Sequence, residues 1–326
     1  MRDNCALTIS RANEKQDNYR NTNLKIALLD LNYRIIIKRN LSTRAFLNPH
    51  FLIQAITDSI LKIIKDSRLT KLNIFGVGLG LPGPVDAQRG KVYFLPNIAG
   101  WKNINLKVIL SKKLRLPVFL DNDAKLMSLA EYTLGAARGA KCAVCITLGT
   151  GVGGGIVIDG RIYRGVNNIA GEIGHLPINE SGPVCNCGGR ACLEAYIGNN
   201  RILRQAKKIF KRDISLEELS ALAKKSDSRA LKIWSGVGNR LGMALVSVVN
   251  LLNPDRIVIG GGVANAGAIL FDPVKKFIVK RAMPVQARDV KIVKARLGPD
   301  AGIIGAAILV GENIGKPKVK NFLILT

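Results

Sequence analysis

Residues 165–194 read G-V-N-N-I-A-G-E-I-G-H-L-P-I-N-E-S-G-P-V-C-N-C-G-G-R-A-C-L-E, and one histidine and three cysteines in this stretch have spacings that suit a single metal ion. Cys185 and Cys187 are separated by one residue, Cys192 follows a Gly-Gly pair, and His175 lies upstream across a proline-containing loop. Three thiolates and one imidazole make the closed tetrahedral set of structural zinc. The alternative is thiols packed in a core, but the surrounding Gly, Asn, Pro and Arg are typical of an exposed loop. We therefore predict a structural Zn²⁺ site in this loop.

Further motifs stand on both sides of this stretch in a fixed order. They are G-L-G-L-P-G-P-V-D at 78–86, P-N-I-A-G-W at 96–101, D-N-D-A at 121–124 and L-G-T-G-V-G-G-G-I-V-I-D-G at 148–160. Together with A-G-E-I-G-H and C-x-C-G-x-x-x-C-L-E, they resemble the ROK proteins, a family of bacterial sugar kinases and sugar-responsive repressors. The resemblance runs from about residue 24 to the end of the chain. Such an ordered set is far more specific than a lone glycine-rich match.

The periodicity of the chain predicts an α/β protein with two lobes. Strand-like and helical patterns alternate in both halves, which favours two α/β lobes around a cleft. We place an N-terminal lobe at 1–120 and a C-terminal lobe at 121–326. The C-terminal lobe carries the zinc loop at 175–192, and the last helix packs back on the first lobe. The resemblance implies the actin-like ATPase fold, a duplicated ribonuclease-H-like unit, although no sequence repeat shows the duplication.

The composition is that of an ordinary globular protein. With 326 residues and 48% hydrophobic content, the chain can bury a full core. The start M-R-D-N-C is unlike a signal peptide, and no apolar run reaches the ~20 residues of a membrane helix. We therefore expect a cytoplasmic protein. Cys5, Cys142 and Cys145 lie in apolar strand-like runs, where free thiols usually pack as core residues.

The charge balance is strongly basic. The chain has 49 Lys and Arg against 23 Asp and Glu, a formal net charge of +26. A basic surface suggests nucleic acid as a partner. However, the basic residues are spread along the chain on the polar sides of helical patterns, with few aromatic residues between them. A solvated face and an anionic substrate are the better interpretations, and we expect no nucleic-acid partner without an added DNA-binding domain.

A kinase acting on a sugar needs one carboxylate that takes the proton of the attacking hydroxyl. Asp123 is the candidate base, because L-D-N-D-A places it at a strand–helix junction and it matches the catalytic aspartate of the family motif. Asn122 beside it would hold sugar hydroxyls. The alternative is that Asp121, Asn122 and Asp123 only cap a helix, which is a common use of such residues.

The resemblance also implies which side chains contact the sugar. They are Glu172, His175 and Glu194, together with Gly83 of the L-P-G-P turn. One nitrogen of His175 would bind the metal while the other faces the sugar or a second acceptor. Asn97, in P-N-I-A-G-W, is a weaker candidate for a sugar-contacting or lobe-bridging residue.

Two glycine-rich segments are candidates for nucleotide binding. In G-T-G-V-G-G-G the backbone N–H groups can approach phosphate oxygens, and Thr150 adds a hydroxyl. The assigned residues of this segment are Gly149, Thr150, Gly151 and Gly153. Gly260, Gly261 and Gly262 follow a buried strand and resemble the adenosine motif of the fold. Glycines also serve tight turns and close strand packing, so either run alone is weak.

The first phosphate motif of the family departs from its usual pattern. Kinases of the family carry D-x-G-G-T between the first two strands, where this chain has S-R-A-N-E-K-Q-D-N-Y-R-N-T-N at 10–23, without glycine. Asp17 or Glu14 could substitute in part, and Arg11 or Arg20 could neutralise phosphate. Repressor-type members often show such a degenerate loop.

Two functions remain open from the sequence. The first is an ATP-dependent, Mg²⁺-using hexose kinase that phosphorylates the 6-hydroxyl of glucose or an N-acetylated hexosamine. The second is a sugar-sensing effector domain of a repressor that lacks its DNA-binding module. In either case we expect a homodimer, the commonest soluble oligomer.

Overall fold

The computed structural model describes residues 5–12, 23–42, 48–95 and 100–314. Contacts divide the chain into two units. Unit 1 runs to Ala130 and includes 164–170 and the chain from Pro299; unit 2 comprises 131–163 and 171–298. The division falls after the sequence-based boundary at residue 120. Residues 13–22 of the degenerate phosphate loop, as well as Asn97, lie outside the described residues.

The described segments form thirteen strands and ten α-helices. The strands are β1 Cys5–Ala12, β2 Asn23–Leu29, β3 Ile35–Ser42, β4 Ile74–Leu81, β5 Val85–Asp86, β6 Lys91–Phe94, β7 Lys102–Ile104, β8 Val118–Asn122, β9 Cys142–Leu148, β10 Val152–Ile158, β11 Arg161–Tyr163, β12 Arg256–Gly260 and β13 Lys291–Lys294. The helices are α1 Pro49–Asp66, α2 Leu106–Leu114, α3 Asp123–Thr133, α4 Glu194–Ile197, α5 Asn199–Phe210, α6 Leu216–Lys224, α7 Ser228–Leu252, α8 Ala268–Arg281, α9 Pro284–Asp289 and α10 Ala301–Asn313. None of these helices is long and apolar enough to cross a lipid bilayer.

Each unit contains a five-stranded sheet, and the two sheets share one topology. Their orders are β3-β2-β1-β4-β8 and β11-β10-β9-β12-β13. In both sheets the first two pairings are antiparallel and the last two are parallel. The duplication implied by the family resemblance is therefore visible in strand order, and the two-lobed actin-like ATPase fold is confirmed. A small sheet β5-β6-β7 accompanies the first one in unit 1.

Burial along the strands follows their position in the sheet of unit 1. Leu24–Leu29 of β2 are all buried, whereas the edge strand β3 alternates between half-buried and exposed residues. On this strand, exposed Lys38 pairs with Asp300 at 2.5 Å, and half-buried Arg39 pairs with Asp66 at 2.5 Å. Charged side chains on an edge strand oppose pairing with another chain.

The turn between β10 and β11 is a tight hairpin turn. Ile158 and Arg161 are the last paired residues, so Asp159 and Gly160 form a two-residue loop. Both have positive φ, 48° and 81°. This is the conformation that an Asp-Gly pair adopts in a type I′ hairpin turn.

Two glycines in α7 allow close packing against α8 in unit 2. A Cβ atom on Gly238 would lie 2.7 Å from Cβ of Pro273, and one on Gly242 would lie 2.7 Å from Cβ of Phe277. Proline usually marks a helix start, but Pro273 lies inside α8. The helix begins at Ala268, and Gly238 provides the room for Pro273 inside it.

Candidate functional site

The candidate base lies where a parallel strand of unit 1 ends and a helix begins. Asp123 is the first residue of α3, directly after β8, and is half-buried. One of its carboxylate oxygens accepts the N–H of Ala124 at 2.8 Å. The carboxyl ends of parallel strands are the usual position of ligand sites in α/β proteins. The local geometry therefore suits a carboxylate that acts on a bound ligand.

The neighbouring Asn122 caps α3. Its side-chain oxygen accepts the N–H groups of Ala124 and Lys125, at 3.0 and 3.2 Å. Its amide nitrogen donates to the carbonyl of Gly83 at 3.1 Å. Gly83 has φ +86°, which favours glycine, so this turn places its backbone beside the start of α3. The capping alternative thus describes Asn122, and one carboxylate oxygen of Asp123 also bonds to the first turn of α3 through Ala124.

Unit 1 also contains a buried polar group that the sequence analysis missed. Asp121 is fully buried and accepts two hydrogen bonds from Arg164. Buried Lys125 donates to the carbonyl of Asn168, and the amide of Asn168 donates to Asp86 at 3.2 Å. Asp86 stands two residues after the L-P-G-P turn, but the partners are far apart in the chain, and no local pattern links them.

The four predicted metal ligands come together in unit 2. One ligand atom from each of His175, Cys185, Cys187 and Cys192 lies within 4.8 Å of all the others. Sγ of Cys187 and Sγ of Cys192 are 3.7 Å apart, and Sγ of Cys185 is 3.7 Å from Nδ1 of His175. Zinc–sulfur bonds of about 2.3 Å at tetrahedral angles place neighbouring ligand atoms about 3.8 Å apart. The arrangement and the donor chemistry therefore fit a zinc ion.

Short loop contacts hold this Cys/His group in place. Isolated bridges pair Pro177 with Cys192 and Val184 with Arg190. Burial raises the pKa of Cys192 to about 12, and the neighbouring thiol of Cys187 contributes to this increase. In contrast, a hydrogen bond from the backbone N–H of Gly189 lowers the pKa of Cys187. Metal binding would replace the protons of these thiols.

The predicted sugar-contacting residues of unit 2 adjoin this group. His175 ends a 3-10 turn, and its Nε2 is 3.9 Å from a carboxylate oxygen of Glu172. The two nitrogens of the imidazole therefore face different partners, because Nδ1 faces Cys185. Glu194 begins α4, and its Oε2 accepts the N–H of Val152 at 2.8 Å.

The first glycine-rich segment is a tight turn followed by a strand. Gly149, Thr150 and Gly151 connect β9 and β10, and the N–H of Gly149 donates to the carbonyl of Gly151 at 2.9 Å. Gly153 lies within β10. A Cβ atom on Gly151 would overlap Oε2 of Glu194. The glycine at this position thus allows a carboxylate to approach the turn.

The second glycine-rich segment lies beside the first. Gly260 ends β12 and pairs in register with Thr147 of β9, so both segments leave the same edge of the sheet. Gly261 has φ +86°, and a Cβ atom there would overlap the carbonyl of Leu148. A Cβ atom on Gly262 would meet nothing within 4 Å among the described residues. Exposed backbone from two loops is therefore available to a ligand at this edge.

Comparisons with known proteins identify similar chains over nearly the whole length. A sequence model described as the ROK family matches residues 21–313. A glucokinase of Halalkalibacterium halodurans is 37% identical over 306 residues, which cover 89% of this chain and 92% of that protein. A solved ROK family glucokinase from Streptomyces griseus, in complex with glucose and AMPPNP, has a TM-score of 0.77 and 27% identity, covering 94% of this chain and 98% of that one. A ROK family transcriptional regulator, a homologue of the E. coli MLC protein, has a TM-score of 0.83 and 28% identity, covering 94% of this chain and 78% of that one.

Proposed function

This chain belongs to the ROK family, and we propose that it is an ATP-dependent hexose kinase. It transfers the γ-phosphate of ATP to the 6-hydroxyl of an aldohexose, glucose or an N-acetylated hexosamine. The observation that carries the proposal is the 37% identity to a glucokinase over 306 residues. The glucokinase structure with glucose and AMPPNP, similar over 94% of this chain, supports the same pair of substrates. An ATP-dependent enzyme of sugar metabolism works in the cytoplasm, where ATP is available.

Asp123 acts as the general base in this proposal. The carboxylate takes the proton of the 6-hydroxyl as the oxygen attacks the γ-phosphorus, and ADP leaves on the opposite side. Its position at the start of α3 supports the role, because the rigid strand–helix junction limits how far the carboxylate can move. The N-terminal end of the helix also favours a negative charge there.

Sugar binding is assigned to polar groups from several loops. The proposed contacts are Gly83, Asn97, Asn122, Asp123, Glu172, His175 and Glu194. Asn122 is already bonded through its oxygen and its amide nitrogen, so its contribution is to hold the Gly83 turn beside Asp123 as well as to meet a hydroxyl. Glu172 is exposed, and its carboxylate can accept hydroxyl protons.

ATP binding is assigned to the two glycine-rich segments of unit 2. The turn Gly149–Gly151, with Gly153, offers backbone N–H groups to phosphate oxygens, and the exposed residue Thr150 adds a hydroxyl. Gly260, Gly261 and Gly262 offer bare backbone to the adenosine. Mg²⁺ bound with ATP would neutralise part of the negative charge of the phosphates.

The metal site holds a structural zinc ion in this proposal. His175, Cys185, Cys187 and Cys192 are its ligands, and the geometry of the Cys/His group supports them. A closed set of four protein ligands leaves no open position for a reacting water, as is typical of a structural ion. The ion would stabilise the loop from Glu172 to Glu194. We further propose that the protein is a homodimer.

A second candidate is a sugar-sensing effector domain of a repressor. The TM-score of 0.83 to a ROK family transcriptional regulator favours it, as does the glycine-free sequence at 10–23. A sensor of this kind would bind the sugar without consuming ATP. The two candidates therefore differ in turnover and not in sugar binding.

The deciding experiment measures ADP release from Mg-ATP with glucose, mannose, N-acetylglucosamine, N-acetylmannosamine, fructose and allose. For a kinase, one sugar stimulates ADP release, and Asp123→Asn lowers kcat by about 10²- to 10⁴-fold. For a sensor, no sugar gives turnover while one sugar still raises Tm. Turnover that is equal in wild type and Asp123→Asn would remove Asp123 as the base.

A further inference from the structure

The segment 164–170 belongs to unit 1, although the residues on both sides of it belong to unit 2. The N–H of Ala170 donates to the carbonyl of Arg164 at 2.9 Å, so the two ends of the segment are bonded to each other. Between them, Val166 and Asn167 are exposed. The segment is therefore a closed loop, and two of its residues attach it to unit 1.

Arg164 makes the first attachment. Its Nε and Nη2 atoms donate to one carboxylate oxygen of Asp121, at 3.1 and 2.7 Å. The other oxygen of Asp121 accepts the N–H of Asn122 at 2.8 Å. The carboxylate is thus fixed between Arg164 and the backbone that leads into Asp123.

Asn168 makes the second attachment. Its carbonyl accepts the buried ammonium group of Lys125, which stands two residues after Asp123 in α3. Its side-chain amide donates to Asp86, which also accepts the N–H of Arg89 at 3.0 Å. Asn168 has φ +62°, a conformation that asparagine tolerates better than most residues. The segment therefore contacts β8 before Asp123, α3 after it, and β5 after the Gly83 turn.

Burying these charges carries a free-energy cost that apolar side chains would avoid. Asp86 and Asp121 are 4% and 0% exposed, Lys125 is 1% and Asn168 is 6%. Moving an ion from water into the protein interior costs several kcal/mol unless its partners compensate. A protein in which well-packed apolar side chains replace a buried ion pair is often equally stable. In contrast, the buried hydroxyls of Thr57, Ser128 and Ser220 simply bond to carbonyls of their own helices. The polar attachment of 164–170 specifies one geometry rather than maximising stability.

We propose that Arg164 and Asn168 are positioning residues for the catalytic carboxylate. They act through Asp121 and Lys125 to hold the start of α3, and through Asp86 to hold the chain after the Gly83 turn. The inference rests on the proposed function, in which Asp123 is the base. Neither residue needs to touch substrate for this role.

The test compares Arg164→Met with Arg161→Met, a matched change at an exposed arginine of β11. In Arg164→Met, kcat falls by about 10- to 100-fold, because a small misplacement of a reacting group has effects of this size. KM for ATP changes by less than about twofold, because the substitution removes no contact that binds ATP in the ground state. Arg164→Lys keeps a charge beside Asp121 but loses the paired donors, so its kcat is intermediate. If Arg164→Met does not fold, Arg164→Lys carries the test.

A double variant separates positioning from general destabilisation. In the Asp123→Asn background, Arg164→Met lowers the residual kcat by less than about twofold, because there is no base left to position. A full additional loss of kcat in the double variant would overturn the proposal.

Hydrogen exchange gives a result that does not need turnover. The N–H groups of Asn122, Ala124 and Lys125 are bonded to Asp121 and Asn122, so their exchange accelerates in Arg164→Met and not in Arg161→Met. If the wild type shows no sugar-dependent ADP release, the proposed kinase function fails, and exchange alone decides whether the segment positions α3. Exchange rates in Arg164→Met equal to those in Arg161→Met would overturn the inference in either case.

Discussion

Oε2 of Glu194 accepts the backbone N–H of Val152 at 2.8 Å. This bond joins the first residue of α4 to the end of the Gly149–Gly151 turn. Glu194 is also two residues after Cys192, and its other carboxylate oxygen is 3.9 Å from Sγ of Cys185. One side chain therefore connects the Cys/His group with the turn to which we assign the phosphates.

A methyl group at Gly151 should weaken ATP binding. In Gly151→Ala the new Cβ atom overlaps Oε2 of Glu194, so either the turn or the carboxylate must move. We expect KM for ATP to rise by about 10-fold, a change of 1.4 kcal/mol in binding, with a smaller change in KM for the sugar. Steady-state kinetics with each substrate varied measures both constants. Gly151→Ala with wild-type KM for ATP would show that the turn does not serve the phosphates.

Loss of one thiol should remove the metal. Cys185→Ala leaves three ligands, so we expect about one zinc ion per chain in the wild type and much less in the variant. Tm should fall by on the order of 10 °C, because a ligand bound only to the folded state no longer stabilises it. Elemental analysis and thermal unfolding measure the two effects. The control is Cys142→Ala, a half-buried thiol outside the group, which should keep its zinc.

A larger residue at Gly242 should disturb the packing of α7 against α8. In Gly242→Val the new side chain meets Phe277 at its Cβ and ring atoms, and overpacking of this kind costs about 1–3 kcal/mol. Urea unfolding measures the change in the free energy of unfolding. Gly236→Val in the same helix is the matched control, because among the described residues its Cβ would approach only the flexible end of Arg240. Equal stabilities of the two variants would contradict the packing account.

The cap of α7 should contribute stability in a pH-dependent way. Hydrogen bonds to Asp227 lower its pKa from 3.8 to about 2. The bond from the side chain of Arg229 has the largest effect, and the bond from the N–H of Ala230 has the next largest. A lowered pKa in the folded state means that the ionised carboxylate favours folding. This contribution is fully present above pH 3.8 and is lost as the pH falls towards 2.

The corresponding variant is Asp227→Asn, since asparagine is an equally good N-cap without the charge. We expect the wild type to have a higher Tm than the variant at pH 6 and a smaller advantage at pH 3. Thermal unfolding at both pH values measures the difference. A difference in Tm that grows as the pH falls would refute this account of the cap.

Local sequence patterns predicted those features that depend on neighbours in the chain. The Asp159–Gly160 hairpin turn, for example, follows from the positive φ that these residues tolerate. The cysteine spacing predicted the group that the fold assembles, because three of its four members lie in one short loop. The duplicated topology was invisible in the sequence, because many different residues satisfy the same strand order.

The sequence by itself determined the family, the α/β architecture and the identity of the candidate ligands, since periodicity, turn chemistry and motif spacing are local properties. Only the tertiary structure decided how distant residues meet. Arg164 and Asp121 are 43 positions apart, and Asn168 and Asp86 are 82 apart. An arginine can pair with a buried carboxylate or extend into solvent. The outcome depends on which strand ends and loops the fold brings together. That choice is made by packing and by the cost of leaving a buried charge unpaired.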